Sequence, residues 1–244
     1  MSYDDISNRI KHVLNNISMD SPYSGIIYMY AKDIHIISEI LSTKLRTTKE
    51  KYIYKIDSEL ESIKLSDVFL KYKGSSLAQY LEKDLDFIND DSLKSKWGFP
   101  EISTSFNNKQ ATIDIFYKQR EGEDVIGSIG VQIEGKDFKL HAGPRKIKGE
   151  NNKDNRDKNI QAFFNDMKNY EYFEDFSKKK TIRGRITSMK KEYCRYVNKN
   201  TGGFHIYQYF NLKNEEDYEF ISKLVKDELE RVVDIIDNKN FIYK

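Results

Sequence analysis

Ala111-Thr-Ile-Asp-Ile-Phe-Tyr117 and Ile129-Gly-Val-Gln-Ile-Glu-Gly-Lys136 are the two stretches whose reading decides the fold. In the first, Ala111, Ile113, Ile115 and Tyr117 alternate with Thr112, Asp114 and Phe116. In the second, Ile129, Val131 and Ile133 alternate with Gln132, Glu134 and Lys136. A period of two is that of a strand with one apolar and one polar face. The polar run Lys118–Asp124 between them reads as a turn, so together they predict a β-hairpin.

Outward from the hairpin the period lengthens to that of a helix. Upstream, Ser2 and Asp5 form a capping pattern before Ile6, Ile10, Val13, Leu14 and Ile17. Further helices are expected over about 30–45, over 48–64 on Tyr52, Ile56, Leu60 and Ile63, and over 75–88 on Leu77, Tyr80, Leu81, Leu85 and Ile88. Downstream, Asn214 reads as the N-cap of a last helix, with Tyr218, Ile221, Leu224, Val225, Leu229, Val232, Val233 and Ile236 on one face. A second hairpin is expected to join Ile182–Val197 to Phe204–Phe210. Seven of the 12 glycines fall between Gly98 and Gly149, which marks the middle as β-rich between helical flanks.

Composition narrows the class. The 244 residues allow one large domain or two small ones, long enough to bury a core without staples. Aromatic residues at 13% argue against disorder. The single cysteine, Cys194, forbids an intramolecular disulfide and a cysteine-based zinc site. The apolar run Gly25–Ala31 ends at Lys32, far short of the ~20 residues of a membrane span. No leader of signal-peptide type is read at the start, so a cytoplasmic protein without membrane attachment is the expectation.

Two nucleotide- and acyl-chemistry motifs fail on context. Gly130-Val-Gln-Ile-Glu-Gly-Lys-Asp137 has the spacing of a phosphate-binding loop, but its interior alternates as a strand and Asp137 would repel phosphate. Gly127-Ser-Ile-Gly130 is out of register with a nucleophile elbow. The four histidines have no metal-binding spacing.

What remains is a constellation of charges. On a continuous strand Glu134 and Lys136 project from one face, ~6.6 Å apart. Asp114 is on the polar face of the preceding strand, and in an antiparallel pair the two polar faces can coincide. Two converging carboxylates beside an ammonium suit Mg²⁺, a hard cation that keeps waters and takes phosphate oxygens. The same alternation also describes an ordinary solvated hairpin face.

Asp114, followed after a hairpin by Glu134-Gly135-Lys136, resembles the PD-(D/E)xK, or restriction-endonuclease-like, nuclease superfamily. Lys73-Gly-Ser-Ser-Leu-Ala-Gln-Tyr-Leu-Glu82 is similar to that family's first core helix, and Asn159–Tyr170 to the helix after its E-x-K strand. Ile113 stands in place of the eponymous proline. The resemblance covers about residues 73–170 and implies an α/β core with a central mixed β-sheet flanked by helices; the expected division of the chain is a helical region over 1–70, for dimerisation or recognition, and this core together with the C-terminal hairpin and helix over 71–244. It further implies Asp114, Glu134 and the Gly135 carbonyl as Mg²⁺ ligands, Lys136 as the catalytic lysine, Glu82 as an accessory acid, and a homodimer that cuts double-stranded DNA.

Charge distribution agrees with a polyanion partner. The formal net charge of +2 hides a stretch of +7 over Lys178–Arg195, one of +4 over Lys136–Lys158, and one of −6 over Asn214–Asp237. Arg145, Lys146, Lys148, Arg183, Arg185, Lys190 and Lys191 are the candidate phosphate contacts, with Tyr193 and Tyr196 between them. The expected activity is a Mg²⁺-dependent endonuclease acting on DNA. The alternatives are a non-catalytic nucleic-acid-binding or regulatory protein, and an RNA-directed nuclease of a defence system.

Overall fold

The computed structural model describes residues 9, 12, 15–16, 24–56, 58–62, 64–107, 109–144, 162–163, 165–167, 169–172, 181–182, 185–186, 190–197 and 204–243. The chain divides into two compact units, Met1–Lys49 and Glu50–Lys244. In the first, the described structure is chiefly α1 (Ser24–Thr47), which covers the helix expected over 30–45. Most of the helix expected from Ser2 lies outside the described residues. The boundary expected at residue 70 falls inside a helix of the second unit, α3 (Ser66–Leu85).

The second unit is a mixed α/β fold around a six-stranded sheet. Its strands are β2 (Glu101–Asn107), β3 (Gln110–Glu121), β4 (Asp124–Glu134), β5 (Asp137–Pro144), β8 (Lys190–Val197) and β9 (Phe204–Asn211), in the order β2-β3-β4-β5-β9-β8. The expected hairpin is β3–β4, with Asp114 opposite Gln132 and Ile113 opposite Ile133. Both strands run further than the alternation indicates, and Glu121 pairs with Asp124 around Gly122 and Glu123. The second expected hairpin is β8–β9, while Thr181–Ile182 (β6) and Arg185–Ile186 (β7) pair with each other.

The sheet is antiparallel at every pairing, not mixed as expected. The cause is local: β2 to β5 are joined by turns too short for the crossover a parallel pair requires. One such turn follows Glu134 directly, so the strand β5, not a helix, comes next in the chain.

One sheet face carries the core. Ile113, Ile115 and Tyr117 of β3, Ile129, Val131 and Ile133 of β4, and Phe138, Leu140 and Ala142 of β5 cluster with two helices. These are α3, through Leu77, Leu81 and Leu85, and α4 (Tyr218–Asp237), through Ile221, Leu224, Val225, Leu229, Val232 and Ile236. Gly74, inside α3, lets the helix lie against β3, because a Cβ there would stand 2.2 Å from the Ala111 Cβ.

The segment 48–64 is not one helix. Lys51–Tyr52 (β1) pairs with Glu216–Asp217 (β10), Tyr218 N–H donates to the Glu50 carbonyl (2.9 Å), and among the described residues of the segment only Ser58–Ser62 (α2) is helical. Burial of Tyr52 through this long-range pairing outweighs its helical spacing with Ile56 and Leu60. Asn214 correspondingly does not cap α4. Its Oδ1 accepts the N–H groups of Tyr54 (3.1 Å) and Lys55 (3.0 Å).

Candidate active site

The sheet face away from the core carries the polar half of each alternation. Residues directly opposite one another on neighbouring strands share a face. Asp114, Gln132 and Lys139 therefore form one row across β3, β4 and β5. Thr112, Glu134 and Asp137 form the next row. Asp114 and Glu134 are diagonal neighbours, as the sequence predicts.

Side chains knit the two rows together. Gln132 Nε2 donates to Asp114 Oδ1 at 2.7 Å, and Lys139 Nζ donates to Glu134 Oε2. Lys139 is buried at 5% exposure, while Asp114, Gln132 and Glu134 are half-buried. Burial is the largest influence on the Asp114 carboxyl and holds it above its usual range. The Gln132 hydrogen bond and the Lys139 charge oppose that shift, and the Glu134 charge reinforces it. Lys118, also on this face, is engaged at the sheet edge by Glu101 (2.5 Å).

A further row, Phe116, Gly130 and His141, borders the charged one. The Phe116 and His141 rings stack at 4.2 Å, and the His141 ring reaches Ser128 Oγ at 3.3 Å. From the core side, the Tyr172 hydroxyl accepts from His141 N–H (3.1 Å) and lies 2.6 Å from the Gly130 carbonyl oxygen. The strands that carry the charges are thereby tied together two residues beyond them.

Lys136 is not where a continuous strand puts it. Gly135 and Lys136 form the two-residue turn between β4 and β5, with Gly135 at φ +52° and its N–H donating to the Ala111 carbonyl (3.1 Å). A positive φ at the first of two turn residues suits glycine and reverses the chain at once. Lys136 is consequently exposed, and its carbonyl accepts the Leu212 N–H at 2.7 Å. The lysine beside the carboxylates is Lys139, brought back by the turn. Gln132 and Lys139 were legible only as polar members of an alternation, and the signal for Lys139 was Gly135 as a turn former.

Glu82 stands on the exposed side of α3, a helix packed against the opposite face of the sheet, so the fold does not bring it to Asp114 and Glu134. The same helix holds Lys73, fully buried, with its ammonium 6.0 Å from the Phe69 ring centre and 5.7 Å from that of Tyr218. Burial pushes this lysine down to about 8.

Of the expected phosphate contacts, Arg145, Lys146, Lys148 and Arg183 lie outside the described residues. Arg185 belongs to β7, and Lys190 and Lys191 to β8. The backbone register sets Lys190 opposite Tyr209, and Tyr209 opposite Lys139, in line with the Asp114 row.

Among the described residues no group of three or more His, Cys, Asp or Glu side chains converges as a metal cage. The donor set is two carboxylates, with a cation already seated on one of them in the form of the Lys139 ammonium. Such a set fits a hard divalent ion that keeps most of its waters. Among the described residues no helix is long and apolar enough to cross a membrane. The chain matches no family model, no curated protein and no solved structure.

Proposed function

We propose that this protein is a Mg²⁺-dependent nuclease that hydrolyses DNA phosphodiester bonds, with Asp114 and Glu134 as the metal-holding pair and Lys139 as the lysine of the site. One observation carries the reading: two carboxylates and a nearly buried ammonium stand together on one sheet face. The resemblance of Asp114…Glu134-Gly-Lys136 to PD-(D/E)xK nucleases supplies the reaction class, and the restriction-endonuclease-like core belongs to the proposal with it. A bound divalent ion would polarise the phosphate and lower the pKa of its attacking water. Gln132 holds the Asp114 carboxylate in one orientation through its 2.7 Å hydrogen bond. Lys139 supplies a positive charge where negative charge grows on the phosphate oxygens. The Lys190 position, two strands from Lys139 in the same row, supports a phosphate track leading to the pair.

The test is cleavage of supercoiled plasmid DNA, and of RNA in parallel, with Mg²⁺ or EDTA. Asp114→Asn and Glu134→Gln are expected to cut at least ~100-fold more slowly while binding DNA as before. Lys139→Met is expected to lose cleavage, and Lys136→Ala to retain it. Wild-type cleavage by Asp114→Asn would overturn the site. Cleavage of RNA alone makes the enzyme a ribonuclease, and salt-sensitive binding without turnover makes the protein a nucleic-acid-binding module. Dimerisation, implied by the resemblance alone, is read from light scattering of the same samples.

A further inference from the structure

Lys139 is placed unusually for a residue whose whole task is to meet substrate. It sits in the middle of the sheet at 5% exposure, and its ammonium is bonded to Glu134 Oε2. The two-residue turn leaves little freedom in where it begins, because Gly135 N–H and the Lys136 carbonyl are both bonded to neighbouring segments. Lys118, also on this face, is bonded to Glu101 and reaches Asp114 only through its charge at a distance. Among the described residues Lys139 is the ammonium seated directly on the Asp114–Glu134 pair, with Asp137 opposite Glu134 in the next row.

An ammonium and a divalent ion compete for the same lone pairs. Mg²⁺ requires carboxylate oxygens at ~2.0–2.1 Å in a near-octahedral shell, which an ammonium on the same oxygen obstructs. We infer that Lys139 is the internal counter-cation of the Asp114–Glu134 pair, displaced when the metal enters, so that metal binding releases the ammonium to face a phosphate. The inference rests on the metal-holding role proposed above for that pair. It gives the site a built-in order: the lysine is sequestered without metal and freed with it. It also opposes two effects that a purely catalytic lysine would not separate, since removing Lys139 abolishes turnover yet tightens the metal.

The experiment uses the full chain and two readouts that do not depend on cleavage. Mn²⁺ affinity is measured by titration calorimetry and by loss of the free-ion paramagnetic signal, for wild type, Lys139→Met, Asp114→Asn and Glu134→Gln. A unit charge within ~5 Å of a divalent ion in a water-rich setting corresponds to roughly tenfold or more in affinity. Lys139→Met is therefore expected to bind Mn²⁺ at least ~10-fold more tightly, and the two carboxylate variants more weakly. The second readout needs no variant: acetylation of wild-type lysines, followed by mass spectrometry, with and without Mg²⁺. Lys139 is expected to be protected without metal and to react faster with it.

Unchanged or weaker Mn²⁺ binding by a folded Lys139→Met overturns the inference, as does Lys139 reactivity that Mg²⁺ leaves unchanged or lowers. If Lys139→Met fails to fold, the acetylation result decides alone. Wild-type Mn²⁺ binding that Asp114→Asn and Glu134→Gln leave intact would instead place the metal elsewhere, overturning the site and the inference together.

Discussion

Replacing Gly74 by alanine tests the contact that seats α3 on the strand bearing Asp114. The added Cβ would meet the Ala111 Cβ at 2.2 Å, where ordinary carbon contacts are ~3.5–4.0 Å. The helix must then withdraw from β3 by roughly 1.5 Å, the difference between those distances. Neither atom has a rotamer through which to escape, and Leu77, Leu81 and Leu85 on the same helix are locked in the core. Overpacking of this kind costs ~1–3 kcal/mol, and a backbone-borne clash belongs at the upper end. Against it, alanine in a helix interior is favoured over glycine by ~1 kcal/mol. The net expectation is a loss of about 2 kcal/mol. In an Ala111→Gly background the clash partner is gone and only the Ala111 Cα remains, at 3.6 Å. There Gly74→Ala is expected to stabilise by ~1 kcal/mol, which makes the coupling ~3 kcal/mol and reverses the sign. Urea unfolding followed by circular dichroism, comparing midpoints at constant slope, measures all four species. A neutral or stabilising Gly74→Ala in the wild-type background, or the same sign in both backgrounds, would refute the packing.

Two further outcomes follow from the buried tyrosines. The Tyr243 hydroxyl accepts the Gly143 N–H (3.1 Å) and donates to the Ser128 carbonyl (2.5 Å), so Tyr243→Phe is expected to cost ~1–3 kcal/mol in the same urea assay. A loss below ~0.5 kcal/mol would show that those backbone groups find other partners. Burial, the largest cause in each case, raises the phenols of Tyr52, Tyr117, Tyr172, Tyr218 and Tyr243 above their ordinary value. Because the folded value is the higher one, their contribution to stability is complete below about pH 10 and is lost as pH rises above it. Each group removes up to ~1.4 kcal/mol per pH unit, and five together remove roughly 7. The share of tyrosinate absorbance that belongs to these five phenols is expected to appear only together with the loss of helical circular dichroism. Ionisation of all 17 tyrosines in a chain that keeps its helices would contradict the burial of these five.

Much of the architecture was legible because it is local. The alternation over Ala111–Tyr117 and Ile129–Ile133 is a property of neighbouring residues, and it became β3 and β4 with the expected faces. The helical stripe ending at Ile236 became α4 for the same reason. The segment 48–64 misled because Tyr52 is spaced for a helix but buried by pairing with Glu216, more than 160 positions away. Nor does alternation give the number or order of strands. β9 returns beside β5 from across the chain, and only that pairing brings the Lys190 position into line with Asp114.

By itself, then, the sequence determined that Asp114 and Glu134 each lie on the polar face of their own strand, because the side-chain period of a strand is two, and the register of the pair put those two faces together. The tertiary structure decided which lysine joins them. Glu134-x-Lys136 places a lysine beside the glutamate only if the strand continues, and at Gly135 it does not: a positive φ turns the chain and leaves Lys136 exposed. Lys139 enters the same row from the returning strand, a placement set by hydrogen-bond register across the turn and not by spacing along the chain.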